Sequence, residues 1–179
     1  MRGDGAGDPR IRDGRPEEAE ALRAVERAAA VRFAAVGLPE LAAPGDEDLL
    51  PAALLEEAAR ARRLLVAEAA DAPVGFALLE WLDDVAYLRE LDVTPDAGGR
   101  GLGGALLEAA CERARALGAA SLLLTTFRDV PFNAPFYARH GFLEMPRNAC
   151  GPALSKQLEY EARAGLDPLR RCVLRRVLA

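Results

Sequence analysis

The stretch Thr94–Ala110, TPDAGGRGLGGALLEAA, follows the strand-like run VAYLRELDV at 85–93 and opens a helix-like run. It carries five glycines: Gly98, Gly99, Gly101, Gly103 and Gly104. Glycine weakens the interior of a strand or a helix, so a run of this kind marks a place where bare backbone is needed. One or two would suffice for a tight turn. A strand, then glycines, then a helix is a recipe for binding phosphate. The first N–H groups of a helix lack internal acceptors and lie at the positive end of its dipole. A Walker-type loop requires Gly-Lys-Ser/Thr, and the chain's only lysine is the distant Lys156. A G-x-G-x-x-G dinucleotide loop would place its third glycine at Leu106. It would also open the first strand–helix unit instead of following several strands.

Working outward, RLLVAEA and VGFALLEWL are two strands joined by the turn residues ADAP, and 85–93 adds a third after Asp83–Asp84. Downstream, LGGALLEAACERARAL reads as an amphipathic helix stopped by Gly118, and SLLLTTF as a buried strand. APFYARH reads as a short helix closed by Gly141, FLEM as a strand, PALSKQLEYEARAG as a helix and RRCVLRRVL as a final strand. Upstream, PRIRDG is a short strand, residues 15–37 read as one helix ended by Gly37, and residues 51–62 as a second. The predicted order is β-α-α-β-β-β-α-β-α-β-α-β. The fold class is α/β (α+β), with a mixed, mostly antiparallel sheet of about seven strands and helices on both faces. Residues 1–8 are expected to be a flexible tail and 9–179 a single domain.

The chain has 179 residues and a net charge of −5, with no concentrated basic patch, so nucleic acid is not expected as a partner. Mild acidity is common, and it is also compatible with a cationic substrate. No apolar run approaches the roughly 18 residues of a membrane span. The first residues, MRGDGAGDPRIRDGRPEEAEALRAV, contain no apolar signal core. Cys111, Cys150 and Cys172 are odd in number and widely spaced, so neither a metal site nor a disulfide framework is expected. A reducing, cytoplasmic location fits that pattern.

The segment Gly98-Gly99-Arg100-Gly101-Leu102-Gly103-Gly104 resembles the Arg/Gln-x-x-Gly-x-Gly/Ala pyrophosphate loop of the GNAT superfamily of N-acetyltransferases, with Gly98 standing where Arg or Gln is usual. TTFRDVPFNAPFYARHGF, residues 125–142, resembles that superfamily's downstream block, in which an Asn opens a short helix, a Tyr sits on it and Gly-Phe starts the next strand. The resemblance covers roughly residues 9–178, with its specific motifs confined to 85–142. It implies the GNAT fold, with a splayed strand pair holding acetyl-CoA as cosubstrate and no metal. It also implies transfer of the acetyl group to a primary amine. A homodimer is left open.

On this resemblance, the backbone of Leu91, Asp92 and Val93 takes the pantetheine arm, and an N–H near Val93 polarises the thioester carbonyl. Gly98, Gly99, Arg100, Gly101, Leu102, Gly103 and Gly104 take the pyrophosphate. Tyr137, four residues before Gly141-Phe142, becomes the general acid for the departing thiolate, a role suited to a phenol with a pKa near 10. Read without the resemblance, it is a half-buried core tyrosine. Asn133 is either a contact to CoA or the N-cap ahead of Ala134-Pro135.

Strand alternation puts Leu88, Glu90 and Asp92 on one face and Tyr87, Arg89, Leu91 and Val93 on the other. A carboxylate on a central strand needs a partner or a task. Glu90 is therefore the candidate general base, the alternatives being a salt bridge or an anchor for the substrate amine. His140, the only histidine, ends a short helix and suits its dipole better than catalysis. Cys111 reads as a small buried residue and Asp83–Asp84 as a turn. The expected function is acetyl transfer to a small-molecule amine, with protein N-terminal or lysine acetylation or a non-catalytic acyl-CoA sensor as alternatives.

Overall fold

The computed structural model describes residues 9–178, and the predicted tail at 1–8 lies outside that range. In chain order the elements are β1 (Arg10–Asp13), α1 (Ala19–Ala30), α2 (Ala52–Arg60), β2 (Leu64–Ala69), β3 (Ala72–Leu82) and β4 (Val85–Val93). Then come α3 (Leu102–Ala116), β5 (Ser121–Phe127), α4 (Ala134–Arg139), β6 (Leu143–Met145), α5 (Pro152–Arg163) and β7 (Arg171–Val177). This is the order expected from the sequence. The strands form one seven-stranded sheet in the order β1-β2-β3-β4-β5-β7-β6. It is mixed: β1–β2, β2–β3, β5–β7 and β6–β7 are antiparallel, and β4–β5 is parallel.

The helix expected over 15–37 is shorter. Only Ala19–Ala30 is α-helical, flanked by 3-10 turns at Pro16–Glu18 and Val31–Val36. No residue of the second turn is fully buried, and Gly37 ends it at φ +75°. The β2–β3 hairpin closes through Ala70 and Asp71, both at positive φ, as a two-residue turn matched to strand twist requires.

The backbone sorts into two compact units, with β3 and β4 contributing to both. The first runs through Leu79 and resumes over Arg89–Arg113. Its core joins Leu22 and Val25 of α1, Leu55 and Ala58 of α2, Leu64 and Val66 of β2, and Phe76 and Leu78 of β3. The helical contributors recur at three residues and the strand contributors at two, the periods of one face of each element. Arg12 of β1 pairs at 2.5 Å with both Glu18 and Glu68, tying the chain before α1 to β2.

The second unit comprises Glu80–Leu88 and the chain from Ala114 onward. Tyr87, Leu123, Leu154 and Val173 form its buried cluster. A polar network pins α5 to the sheet. The Tyr87 hydroxyl lies 2.6 Å from Thr125 Oγ1, Thr125 bonds to Glu161 of α5, and Arg171 Nε donates to Glu161 Oε2 at 3.0 Å.

Candidate functional site

The glycine loop begins with a 3-10 turn, Pro95–Ala97, and ends where α3 starts at Leu102. Gly98 closes the turn by donating its N–H to the Pro95 carbonyl at 3.0 Å. A Cβ on Gly98 would meet that same oxygen at 3.0 Å, so a side chain there would press on the Pro95 carbonyl. Gly99 and Gly101 lie at φ +72° and +78°, the left-handed region that side chains disfavour. The first bond within α3 runs from the Ala105 N–H to Gly101 O at 3.0 Å. The N–H groups of Leu102, Gly103 and Gly104 therefore have no acceptor inside the helix, and Gly103 and Gly104 add no side chain beside them. Arg100 is exposed.

Close packing fixes the end of β4 to its neighbour within the same unit. Thr94 N–H donates to Val74 O at 2.8 Å. A Cβ on Gly75 would sit 2.7 Å from Asp92 O, beside Val93 and Leu106, so only glycine fits there.

The opposite face of β4 is acidic. Asp92 is buried, and Arg32 lies 3.6 Å from its carboxylate. Burial holds the Asp92 carboxyl well above the usual range. The Glu90 and Glu26 carboxylates push the same way, and Arg32 opposes them. Glu26 comes from α1 and was not anticipated from the sequence. Both its oxygens accept the Leu50 N–H, at 3.2 and 3.1 Å. Its pKa is raised to about 7, by burial first and by Glu90 second, against the pull of the Leu50 N–H, Arg23 and Arg89. A signal for it existed in the sequence. Glu26 lies one turn beyond Leu22 and three residues before Ala29, both buried, so it is a carboxylate set in the apolar stripe of α1. The structure thus brings Glu90 and Asp92 together, as alternation predicted, and adds Glu26 to them.

The remaining candidates lie in the second unit. Asn133 occupies the N-cap position of α4, but its side chain makes no capping bond; its carbonyl accepts the Tyr137 N–H at 3.1 Å. Tyr137 is buried, with its ring edge-on to Phe136 at 5.1 Å and Phe142 at 5.8 Å. Its carbonyl accepts the Phe142 N–H at 3.2 Å, and Gly141 turns the chain between them at φ +79°. The Gly141-Phe142 pair thereby locks the tyrosine in place. His140 caps the C-terminal end of α4, with its ring 4.8 Å from that of Phe136. Cys111 is buried, as expected, and Asp83–Asp84 forms the β3–β4 turn.

Among the described residues no group of three or more His, Cys, Asp or Glu is arranged to hold a metal ion. None of their helices is long and apolar enough to cross a membrane.

Residues 23–142 match the model of the acetyltransferase (GNAT) family, which is more than half of the chain. The chain belongs to the GNAT acetyltransferase family. Among solved structures similar to this GNAT protein is Rv2747 from Mycobacterium tuberculosis, in complex with CoA and a second ligand. It is 23% identical with a TM-score of 0.66, over 94% of this chain and 99% of that one. A GNAT-family acetyltransferase from Staphylococcus aureus Mu50 is 16% identical with a TM-score of 0.67, over 96% and 99%. N-acetylglutamate synthase from Neisseria gonorrhoeae, complexed with coenzyme A and N-acetyl-glutamate, is 19% identical with a TM-score of 0.63. That match covers 97% of this chain but only 36% of the synthase, so this GNAT chain spans about a third of its length. At these identities the likenesses establish the GNAT fold.

Proposed function

We propose that the protein transfers the acetyl group of acetyl-CoA to a primary amine of a small molecule by direct attack. The observation that carries this reading is the left-handed glycine loop at the start of α3 in a chain that belongs to the GNAT family. The N–H groups of Leu102, Gly103 and Gly104 donate to the pyrophosphate, and the backbone of Leu91, Asp92 and Val93 takes the pantetheine arm. CoA-bound relatives of the same fold support this use.

An amine near neutral pH arrives as an ammonium and must lose a proton before it can attack. That proton goes to the Glu26–Glu90 pair. With its pKa raised to about 7, Glu26 takes up and releases protons in the working range. The neutral nitrogen then attacks the thioester carbon, the C–N bond forms and the C–S bond breaks. The attacking nitrogen then carries an extra proton and a positive charge. The Tyr137 phenol protonates the CoA thiolate, and the nitrogen gives up that proton through solvent to the tyrosinate, leaving a neutral amide and a neutral phenol. Arg89 stands where some polyamine-acetylating members of the family carry another carboxylate, which argues against a polyamine acceptor.

The test is thiol release from acetyl-CoA across a panel of small primary amines, with a free-N-terminus peptide and a lysine peptide beside them. Turnover on small amines supports the reading. Turnover on peptides alone would replace the acceptor class, and acetyl-CoA binding with no turnover on any amine would make the protein a sensor.

A further inference from the structure

The second unit contains a cavity of about 270 Å³ that shares no lining residue with the glycine loop, Glu26, Glu90, Asp92, Asn133 or Tyr137. Its floor is a row across the sheet. Tyr87 pairs with Leu123, and Leu123 with Arg175, so one side chain each from β4, β5 and β7 stands side by side. Leu154 of α5 and Met145 of β6 complete the apolar wall; Leu154 belongs to the buried cluster around Tyr87, and the partly buried Met145 packs against it. These walls suit a hydrocarbon or aryl body.

Two features at the rim favour an anion. Arg175 is exposed and has no carboxylate partner among the described residues. Ala153 and Leu154, both in the lining, form the first turn of the twelve-residue α5. The first bond within that helix is Ser155 N–H to Gly151 O at 3.0 Å, so the N–H groups before it have no helical acceptor. The one carboxylate of the lining, Asp83, is exposed in the β3–β4 turn, whereas Arg175 stands on β7, with β5 between β4 and β7. The volume falls just under the usual range for small-molecule sites, enough for a body of about ten non-hydrogen atoms.

We infer that this cavity binds a small amphipathic carboxylate, its apolar body lying on the Tyr87–Leu123 floor and its carboxylate on the Arg175 guanidinium. A guanidinium matches a carboxylate through two parallel N–H bonds, repels an amine and gains nothing comparable from a neutral amide. The inference is independent of the acetyl-transfer reading and survives its failure.

The probe is octanoate, compared with octanamide and octylamine, on the full chain. Binding is read by calorimetry and by the methyl resonance of Met145, one of only two methionines in the sequence. Octanoate is expected to shift the Met145 methyl and to bind at least about tenfold more tightly than either analogue. Arg175→Ala should remove that preference and Arg175→Lys should restore part of it. Ala153→Trp should block binding while leaving the circular dichroism spectrum unchanged. Equal affinity for octanoate and octanamide, binding without a Met145 shift, or an Arg175→Ala variant with undiminished affinity would each overturn the inference.

Discussion

Glu26 belongs to a helix far upstream of Glu90 in the chain, yet the Glu90 carboxylate adds to the burial that raises its pKa. This shift makes stability depend on pH. Glu26 titrates near 4.5 as an ordinary side chain and at about 7 in the folded protein. The folded state therefore holds a proton that the unfolded chain has released, and stability falls as pH rises between those values. Above pH 7 the whole penalty is present. Glu26→Gln is expected to raise stability at about pH 8 by roughly 1–3 kcal/mol, and by little below about pH 5. Thermal melts at the two pH values check this. In turnover, kcat/KM is expected to rise through pH 7 as Glu26 ionises, and Glu26→Gln should flatten that limb of the profile. Tyr137→Phe should lower kcat by about 10²–10⁴ while acetyl-CoA affinity stays within about threefold, because the ring keeps its contacts with Phe136 and Phe142. Unchanged turnover would remove Tyr137 from the proposed role. Glu90 and Asp92 were legible because strand alternation alone puts them on one face. Glu26 was not, because which strand a helix face meets depends on packing between elements, and the sequence showed only a charge in an apolar stripe.

At the scale of elements, the glycine loop joins β4 to α3 through a backbone that side chains disfavour. Gly101→Ala should cost about 1–2 kcal/mol, since alanine at φ +78° is strained. Gly37 provides the matched control: its φ is +75° and nothing lies within 4 Å of its Cβ position. Gly37→Ala should lower the melting temperature about as much, and only Gly101→Ala should also weaken acetyl-CoA binding. Equal affinities in the two variants would separate the loop from the cosubstrate. β4 and β5 fall where the sequence put them, because turn residues bound both runs. The first helix ends sooner than its pattern, since Val31–Val36 carries helical spacing but buries no residue fully. The Pro95–Ala97 turn was also missed. It brings the Pro95 carbonyl close to Gly98.

For the molecule as a whole, two short blocks, 98–104 and 125–142, were enough to read the family, because the first carries a backbone requirement and the second adds a tyrosine set before Gly141-Phe142. The division of the backbone into two compact units was not legible, since it depends on long-range contacts and leaves no mark in composition. The acceptor was equally illegible. Around Glu26 the sequence shows only the apolar stripe of α1. If the loop binds acetyl-CoA, saturating cosubstrate at about a hundred times its Kd should stabilise the fold by about 2.7 kcal/mol and raise the melting temperature by a few degrees. Direct transfer of the acetyl group to an amine is tested by a single-turnover experiment with acetyl-labelled CoA. Label is expected to pass to the amine only when an acceptor is present, with none appearing on the protein. Label carried on the protein before the amine is added would contradict it.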